Sequence, residues 1–182
     1  MMRREVVARA PARARQHPIQ RKRARQYGKP PVAARMHAPR GPQVCERCHA
    51  VYENRSWRAG GRGGRRPPPD ATWTLCPACT QVADEEYFGR VRVSPRLPGP
   101  LEVEVRRRVW NVERRARYTQ PERRLVRMDR APDGLEILTT SQKLAHRIAR
   151  ELKKAFGGRV RYNWMARDGL LEATWEPKAA RA

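Results

Sequence analysis

Apolar residues recur at helical spacing twice in the C-terminal half of this chain. Val105, Val109, Val112 and Ala116 fall at i, i+4, i+7 and i+11. Leu144, Ile148, Leu152 and Phe156 make a second stripe, with Ala145 and Ala149 beside it. Side chains at these offsets share one face, so each run predicts an amphipathic helix. The second helix has a capping residue in Thr140 or Ser141 and a stop in Gly157-Gly158. Two strand-like runs follow each helix and flank an Asp-Gly pair, Asp133-Gly134 and Asp168-Gly169, which is a hairpin signal. The strings Asp133-Gly134-Leu135-Glu136 and Asp168-Gly169-Leu170-Leu171-Glu172 align loosely. The unit is therefore helix–hairpin used twice, αββαββ, over residues 101–176.

Period-two alternation shows what the strands face. Val160, Tyr162 and Trp164 alternate with Arg159, Arg161 and Asn163, and Leu171, Ala173 and Trp175 with Leu170, Glu172 and Thr174. The prediction is a four-stranded antiparallel sheet, with one face buried under both helices and the other wet. Ser94-Pro95-Arg96-Leu97-Pro98-Gly99-Pro100 punctuates the chain before this domain and marks a linker over residues 91–100. Residues 177–182 read as a disordered tail.

No such pattern exists at the N-terminus. Residues 1–44 carry 12 Lys/Arg, one acid and six prolines. So few large apolar side chains cannot offset the entropy of ordering the chain, and residues 1–43 read as a disordered basic arm. Its charge is densest at Arg21-Lys22-Arg23-Ala24-Arg25. That string fits a nuclear localisation signal, and the acid-poor Arg/Ala character fits a mitochondrial presequence; both addresses stay open. Arg3, Arg4, Glu5 and Arg9 leave no apolar run longer than three residues among the first nine, so no export signal is expected there.

Between arm and domain lie all four cysteines, in two Cys-x-x-Cys pairs, Cys45/Cys48 and Cys76/Cys79. Two such knuckles complete the tetrahedral four-thiolate shell of a structural zinc ribbon, here over residues 44–90, with one Zn2+. The 27-residue spacer exceeds the usual range of about 15–20, and the Gly/Arg/Pro stretch from Arg58 to Asp70 holds the excess. Ala50–Trp57 and Ala71–Leu75 read as two short strands flanking that loop, and residues 81–88 as a closing helical turn. Cys45-Glu46-Arg47-Cys48-His49 also spells a c-type haem attachment string, but that chemistry needs export. His49 reads as a surface residue beside the knuckle. Of Tyr52, Trp57 and Trp73, at least two should pack. The loop tip with Arg62, Arg65 and Arg66 is either an Arg-Gly segment that binds RNA or a solvated linker. No Gly-Lys-Ser/Thr follows its glycines, so it is not a phosphate-binding P-loop.

Charge changes the picture further. Against 18 Asp+Glu stand 41 Lys+Arg, a formal +23 in 182 residues. That field calls for a polyanion, with nucleic acid as the default because neutralised phosphates release counterions. Part of the arginine excess is also what a GC-rich genome produces. No run approaches the ~18 apolar residues of a membrane-spanning helix. On the second helix, the face opposite the apolar stripe carries Lys143, Arg147, Arg150, Lys153 and Lys154, with Glu151 the sole acid. Any solvated helix needs such a face, but its one-sidedness fits phosphate contact.

Val44-Cys45-x-x-Cys48-His49-Ala50-Val51-Tyr52, Leu75-Cys76-Pro77-Ala78-Cys79 and Thr139-Thr140-Ser141-Gln142-Lys143-Leu144-Ala145-His146-Arg147-Ile148 resemble a family of small bacterial proteins. Its members have a basic N-terminus, a single zinc ribbon and an α+β domain, and the likeness covers roughly residues 40–176. A more distant similarity is to the cysteine-rich N-terminal part of large-ribosomal-subunit export adaptors, which bind the ribosome and have additional Cys-x-x-Cys pairs that this chain lacks. The resemblance implies Cys45, Cys48, Cys76 and Cys79 as metal ligands and assigns no catalytic residue. No serine–histidine or paired-carboxylate constellation is readable, and a closed four-thiolate shell leaves no position for activating water. The chain thus reads as a non-catalytic cytoplasmic zinc-ribbon protein with no small-molecule substrate evident. Its expected partner is ribosomal or other structured RNA, and the alternative is a DNA-binding transcription regulator.

Overall fold

The computed structural model describes residues 41–60, 66–165 and 169–178. The arm with Arg21, Lys22, Arg23 and Arg25, the loop residues Arg62 and Arg65, and Asp168 lie outside them. The chain is mixed α+β, with two sheets and three helices among the described residues.

The first sheet belongs to the cysteine region. Its strands are β1 (Gln43–Cys45), β2 (Val51–Glu53), β3 (Ser56–Arg58) and β4 (Thr72–Thr74), in the order β3-β2-β1-β4. The run Ala50–Trp57 is not one strand but a hairpin. It reverses at Asn54-Arg55, whose φ values of 51° and 60° are left-handed, the twist that suits a two-residue hairpin loop. β4 joins β1 in parallel, which brings the residues before Cys76 alongside those before Cys45. Helix α1 (Pro77–Ala83) starts directly after Cys76 and carries Cys79. The helical turn predicted to follow the second knuckle is thus built on it, because Pro77 is preset for a first helical position.

The second sheet has five strands, not four. β5 (Gly89–Val93), α2 (Gly99–Thr119), β6 (Leu125–Ala131), β7 (Gly134–Thr139), α3 (Gln142–Phe156), β8 (Arg159–Met165) and β9 (Leu170–Glu176) follow in chain order. The sheet order is β6-β7-β5-β9-β8. The two helix–hairpin units stand as predicted, but β5 lies between their hairpins, antiparallel to β7 and parallel to β9. The sheet is therefore mixed, and residues 91–100 are not a linker throughout. Val91–Val93 end the central strand, and Gly99 opens α2. At the β6–β7 turn the connecting pair is Pro132-Asp133, since Ala131 already faces Gly134. A Cβ on Gly134 would lie 2.1 Å from the Val93 carbonyl oxygen, so a side chain there would push β7 off β5.

Register places Val91 beside Ile137 and Ala173, and Val93 beside Leu135 and Trp175. These residues meet Val105, Val109, Val112 and Ala116 of α2 and Leu144, Ile148 and Leu152 of α3 in one core. Trp175 is fully buried and donates its indole N–H to the Gly157 carbonyl at 2.9 Å. Ser141 caps α3, accepting from the Leu144 amide at 3.3 Å, and Gly157-Gly158 ends it with φ of 72° and 83°. Tyr162 and Trp164 do lie on the helix-covered face, but β8 is the sheet edge and they stay 38 % and 55 % exposed. A strand hydrogen-bonded on one side only extends past the helix that covers its neighbour.

The opposite sheet face is not simply wet. Arg90 is buried there, with Nε 3.2 Å from Glu136 and Nη1 2.8 Å from Glu172, and it donates to the Tyr87 hydroxyl. Arg127 pairs with Asp129 and Glu136, and Arg161 with Glu176. Acids and arginines largely cancel across this surface.

Candidate metal centre

Each cysteine is placed by a local hydrogen-bond pattern. Cys45 ends β1, and its carbonyl accepts from the His49 amide at 2.8 Å while its own amide donates to the Ala50 carbonyl at 2.8 Å. This wraps residues 45–50 into a knuckle, with His49 at a left-handed φ of 58°. Glu46 donates to the Thr74 carbonyl at 3.0 Å, which holds the knuckle against the β4 end. Cys76 sits at the N-cap of α1, and the Thr80 amide donates to its carbonyl. The Cys76 amide itself donates to the Cys45 sulfur at 3.3 Å.

The result brings the four predicted sulfurs together, all within 4.8 Å of one another. Cys45, Cys76 and Cys79 are buried, Cys48 is half-buried, and all four thiols are free. The Cys48 and Cys76 sulfurs are 3.7 Å apart. In a tetrahedral shell with metal–sulfur bonds of about 2.3 Å, the sulfurs would be about 3.8 Å apart. The cluster can therefore hold a metal ion. His49 is not part of it. Its ring stands edge-on to Trp73, with centroids 6.1 Å apart. Trp57 and Tyr52 pack together at 5.3 Å beside the sulfurs, and Trp73 is the exposed member of the three aromatics.

In the metal-free protein the sulfurs do not share protons evenly. The hydrogen bond from the Cys76 thiol brings Cys48 down to about 4 and correspondingly raises Cys76. Burial pushes the Cys79 thiol up to about 11. A bound cation must displace the protons of Cys76 and Cys79, so loading is coupled to pH.

One contributor escaped the sequence reading. Arg124, buried just before β6, donates Nη1 to the Cys79 sulfur at 3.4 Å and Nε to the Pro121 carbonyl at 2.7 Å. Burial opposes its charge, but the Cys48 and Cys79 sulfurs outweigh that and hold the guanidinium charged. Such a cation partly offsets the negative charge that four thiolates accumulate around a divalent ion. Within Pro121-Glu122-Arg123-Arg124 nothing local distinguishes Arg124 from Arg123; only the fold brings it across to the cysteines.

The Thr139-Thr140-Ser141 string secures this junction. Thr139 donates to the Ser141 carbonyl at 2.9 Å, locking the end of β7. Thr140 donates to the Glu122 carbonyl at 2.7 Å and accepts from the Arg124 amide at 2.9 Å, so it positions the segment that carries Arg124.

The remaining predicted binding residues are spread over α3 and the loop root. Lys143, Arg150 and Lys154 are exposed, Arg147 is half-buried, and Arg66 is exposed at the end of the Gly/Arg loop. Glu151, the one acid of α3, is engaged by Arg108 at 3.3 Å. Among the described residues Lys143, Arg147, Arg150 and Lys154 make no ion pair. A cleft of about 620 Å³ between the cysteine region and the sheet domain brings Arg58, Arg123 and Lys143 to a common wall with Gln81 and Ser141. No helix among the described residues is long and apolar enough to cross a membrane. No protein-family model matches this sequence, and no curated protein is significantly similar to it.

Proposed function

We propose that this is a non-catalytic, cytoplasmic RNA-binding protein whose four-cysteine centre is a zinc ribbon holding one Zn2+. The metal supplies a crosslink between the two knuckles and takes no part in chemistry. Four thiolates in a closed, buried shell favour Zn2+ over the oxygen-seeking cations. RNA contact is assigned to the outer side of α3 and to the arginines of the Gly/Arg loop and basic arm. Ribosomal or other structured RNA is the preferred partner.

The observation that carries this reading is an asymmetry of charge. On the open sheet face the arginines are matched by Glu136, Glu172, Glu176 and Asp129. On α3 the acids are absent except for Glu151, which turns to Arg108. Unneutralised cations on a rigid helix attract phosphates at little cost in desolvating existing pairs.

The test is binding at matched salt to a structured RNA and to a DNA duplex with the same number of phosphates. Affinity should fall log-linearly with salt, and RNA should bind more tightly because shape and 2′-hydroxyls are read as well as charge. Equal affinity would reduce the protein to a polycation. Tighter binding to duplex DNA would favour a transcription regulator.

A further inference from the structure

The aromatic side chains at the β8 edge lie where the sequence pattern would have buried them. Val160, Tyr162 and Trp164 share the face that α3 covers, opposite Trp175, Ala173 and Leu171 of β9. Trp175 is wholly enclosed, whereas Trp164 keeps 55 % of its surface accessible. His146 of α3 bridges the gap. Its ring is 4.9 Å from Tyr162 at an interplanar angle of 33°, and 6.3 Å from Trp164 at 36°. Both contacts are tilted rather than edge-to-face, with His146 common to the two.

Cations border these rings. Lys143, His146, Arg150 and Lys153 fall at i, i+3, i+7 and i+10, one stripe along α3. Arg150 lies close enough to Tyr162 to act on its hydroxyl electrostatically, and Lys143 also lines the cleft toward the cysteine region. An exposed Trp-Tyr pair on an edge strand invites a partner. A second copy of the chain would bring an identical set of cations against this one, and like charges would repel.

We propose that His146, Tyr162 and Trp164 form a stacking platform for unpaired nucleotides of RNA, with Lys143 and Arg150 taking the adjoining phosphates. The proposal deepens the RNA-binding reading and rests on it. Every base offers a π-face, so such a platform is tolerant of sequence but selects unpaired over paired strands.

The experiment uses the full-length protein with a short unstructured RNA strand and a perfect RNA duplex of equal phosphate number. Trp164→Ala and Tyr162→Ala should each weaken binding to the unpaired strand about tenfold. Duplex affinity and the salt slope should be unchanged, because no phosphate contact is lost. Trp164→Phe should restore most of the loss. Lys143→Ala with Arg150→Ala should instead flatten the salt slope. If wild-type protein binds RNA with the expected salt dependence but the aromatic variants bind the unpaired strand equally well, the platform fails and RNA binding stands. If wild-type protein binds neither RNA, both readings fall. A wild-type dimer that Trp164→Ala converts to monomer would assign the edge to a second copy and overturn the platform.

Discussion

Around the sulfurs of Cys45, Cys76 and Cys79, only Ala50, Trp57 and Ala78 complete the buried cluster of the cysteine region. Under α2 and α3 the core includes eighteen buried residues, with Trp175, Ile137, Ile148 and Leu152 at its centre. The strands differ as much, three residues each in the first sheet against five to seven in the second. Ordering a residue costs about 1–2 kcal/mol of backbone entropy. The second core can offset that by burial, at about 1.5–3 kcal/mol per large side chain, and the first cannot. The cysteine region therefore needs a crosslink, whereas the sheet domain carries its own stability. The two meet at Arg124, which belongs to the domain by sequence and to the cysteine cluster by contact.

Removing metal should break the comparison most visibly. A strong chelator should unfold residues 43–83 while leaving the sheet domain folded, since metal binding there contributes on the order of 10 kcal/mol of folding energy. Amide exchange reads both regions in one sample; equal protection before and after chelation would refute the crosslink role. Elemental analysis should first return one zinc per chain. Acid should weaken the same site. At least the Cys76 and Cys79 protons, both held above neutral pH in the metal-free protein, must leave on loading. Apparent affinity should then fall about 100-fold for each unit of pH lost near neutrality.

The opposite probe is Trp175→Ala, which hollows the core and removes the hydrogen bond to Gly157. It should destabilise the domain by about 3–5 kcal/mol without altering the metal content of protein that still folds. Loss of metal at the same denaturant concentration as the domain unfolds would mean that the regions are one cooperative unit.

Arg124→Met tests the junction itself. Losing the donor to the Cys79 sulfur should lower metal affinity about 10–100-fold, as is usual for groups that support metal ligands. Competition with a chromophoric chelator measures it, and an unchanged affinity would make Arg124 a packing residue only.

The smallest effect is expected at Glu113, buried on α2. Burial raises its pKa despite nearby Arg117 and Arg124. The folded state thus binds this proton more tightly than the unfolded chain. Ionised Glu113 costs stability above the ordinary carboxylate range, and that cost vanishes as pH falls below about 4. Glu113→Gln should raise the Tm by about 2–4 °C at neutral pH and have little effect in acid. A loss of stability at neutral pH would show a favourable ionic role instead.

Local pattern was enough for much of this molecule. The Cys-x-x-Cys spacing placed four sulfurs in one cluster, because two tight knuckles leave each pair little conformational choice. Period 3.6 located α2 and α3, and Asp-Gly signals located the hairpin after α2, because those preferences act over a few residues. Three features depended on contacts distant in sequence. Gly89–Val93 is short, carries arginines in alternation and precedes a proline-rich stretch, so it reads as the end of the ribbon module and the start of a linker. It becomes the central strand only because both hairpins pair with it, and Arg90 is tolerable there only because Glu136 and Glu172 arrive from those two partners. Strand order also decides that Trp175 is enclosed while Trp164, on the same face of the next strand, stands at the open edge. Arg124 is singled out by neither composition nor spacing. Its role follows from the Thr140 hydrogen bonds that hold its segment against the Cys79 sulfur. Secondary structure and the cysteine knuckles obey short-range geometry, whereas burial, strand order and charge neutralisation depend on which distant segments fold against each other.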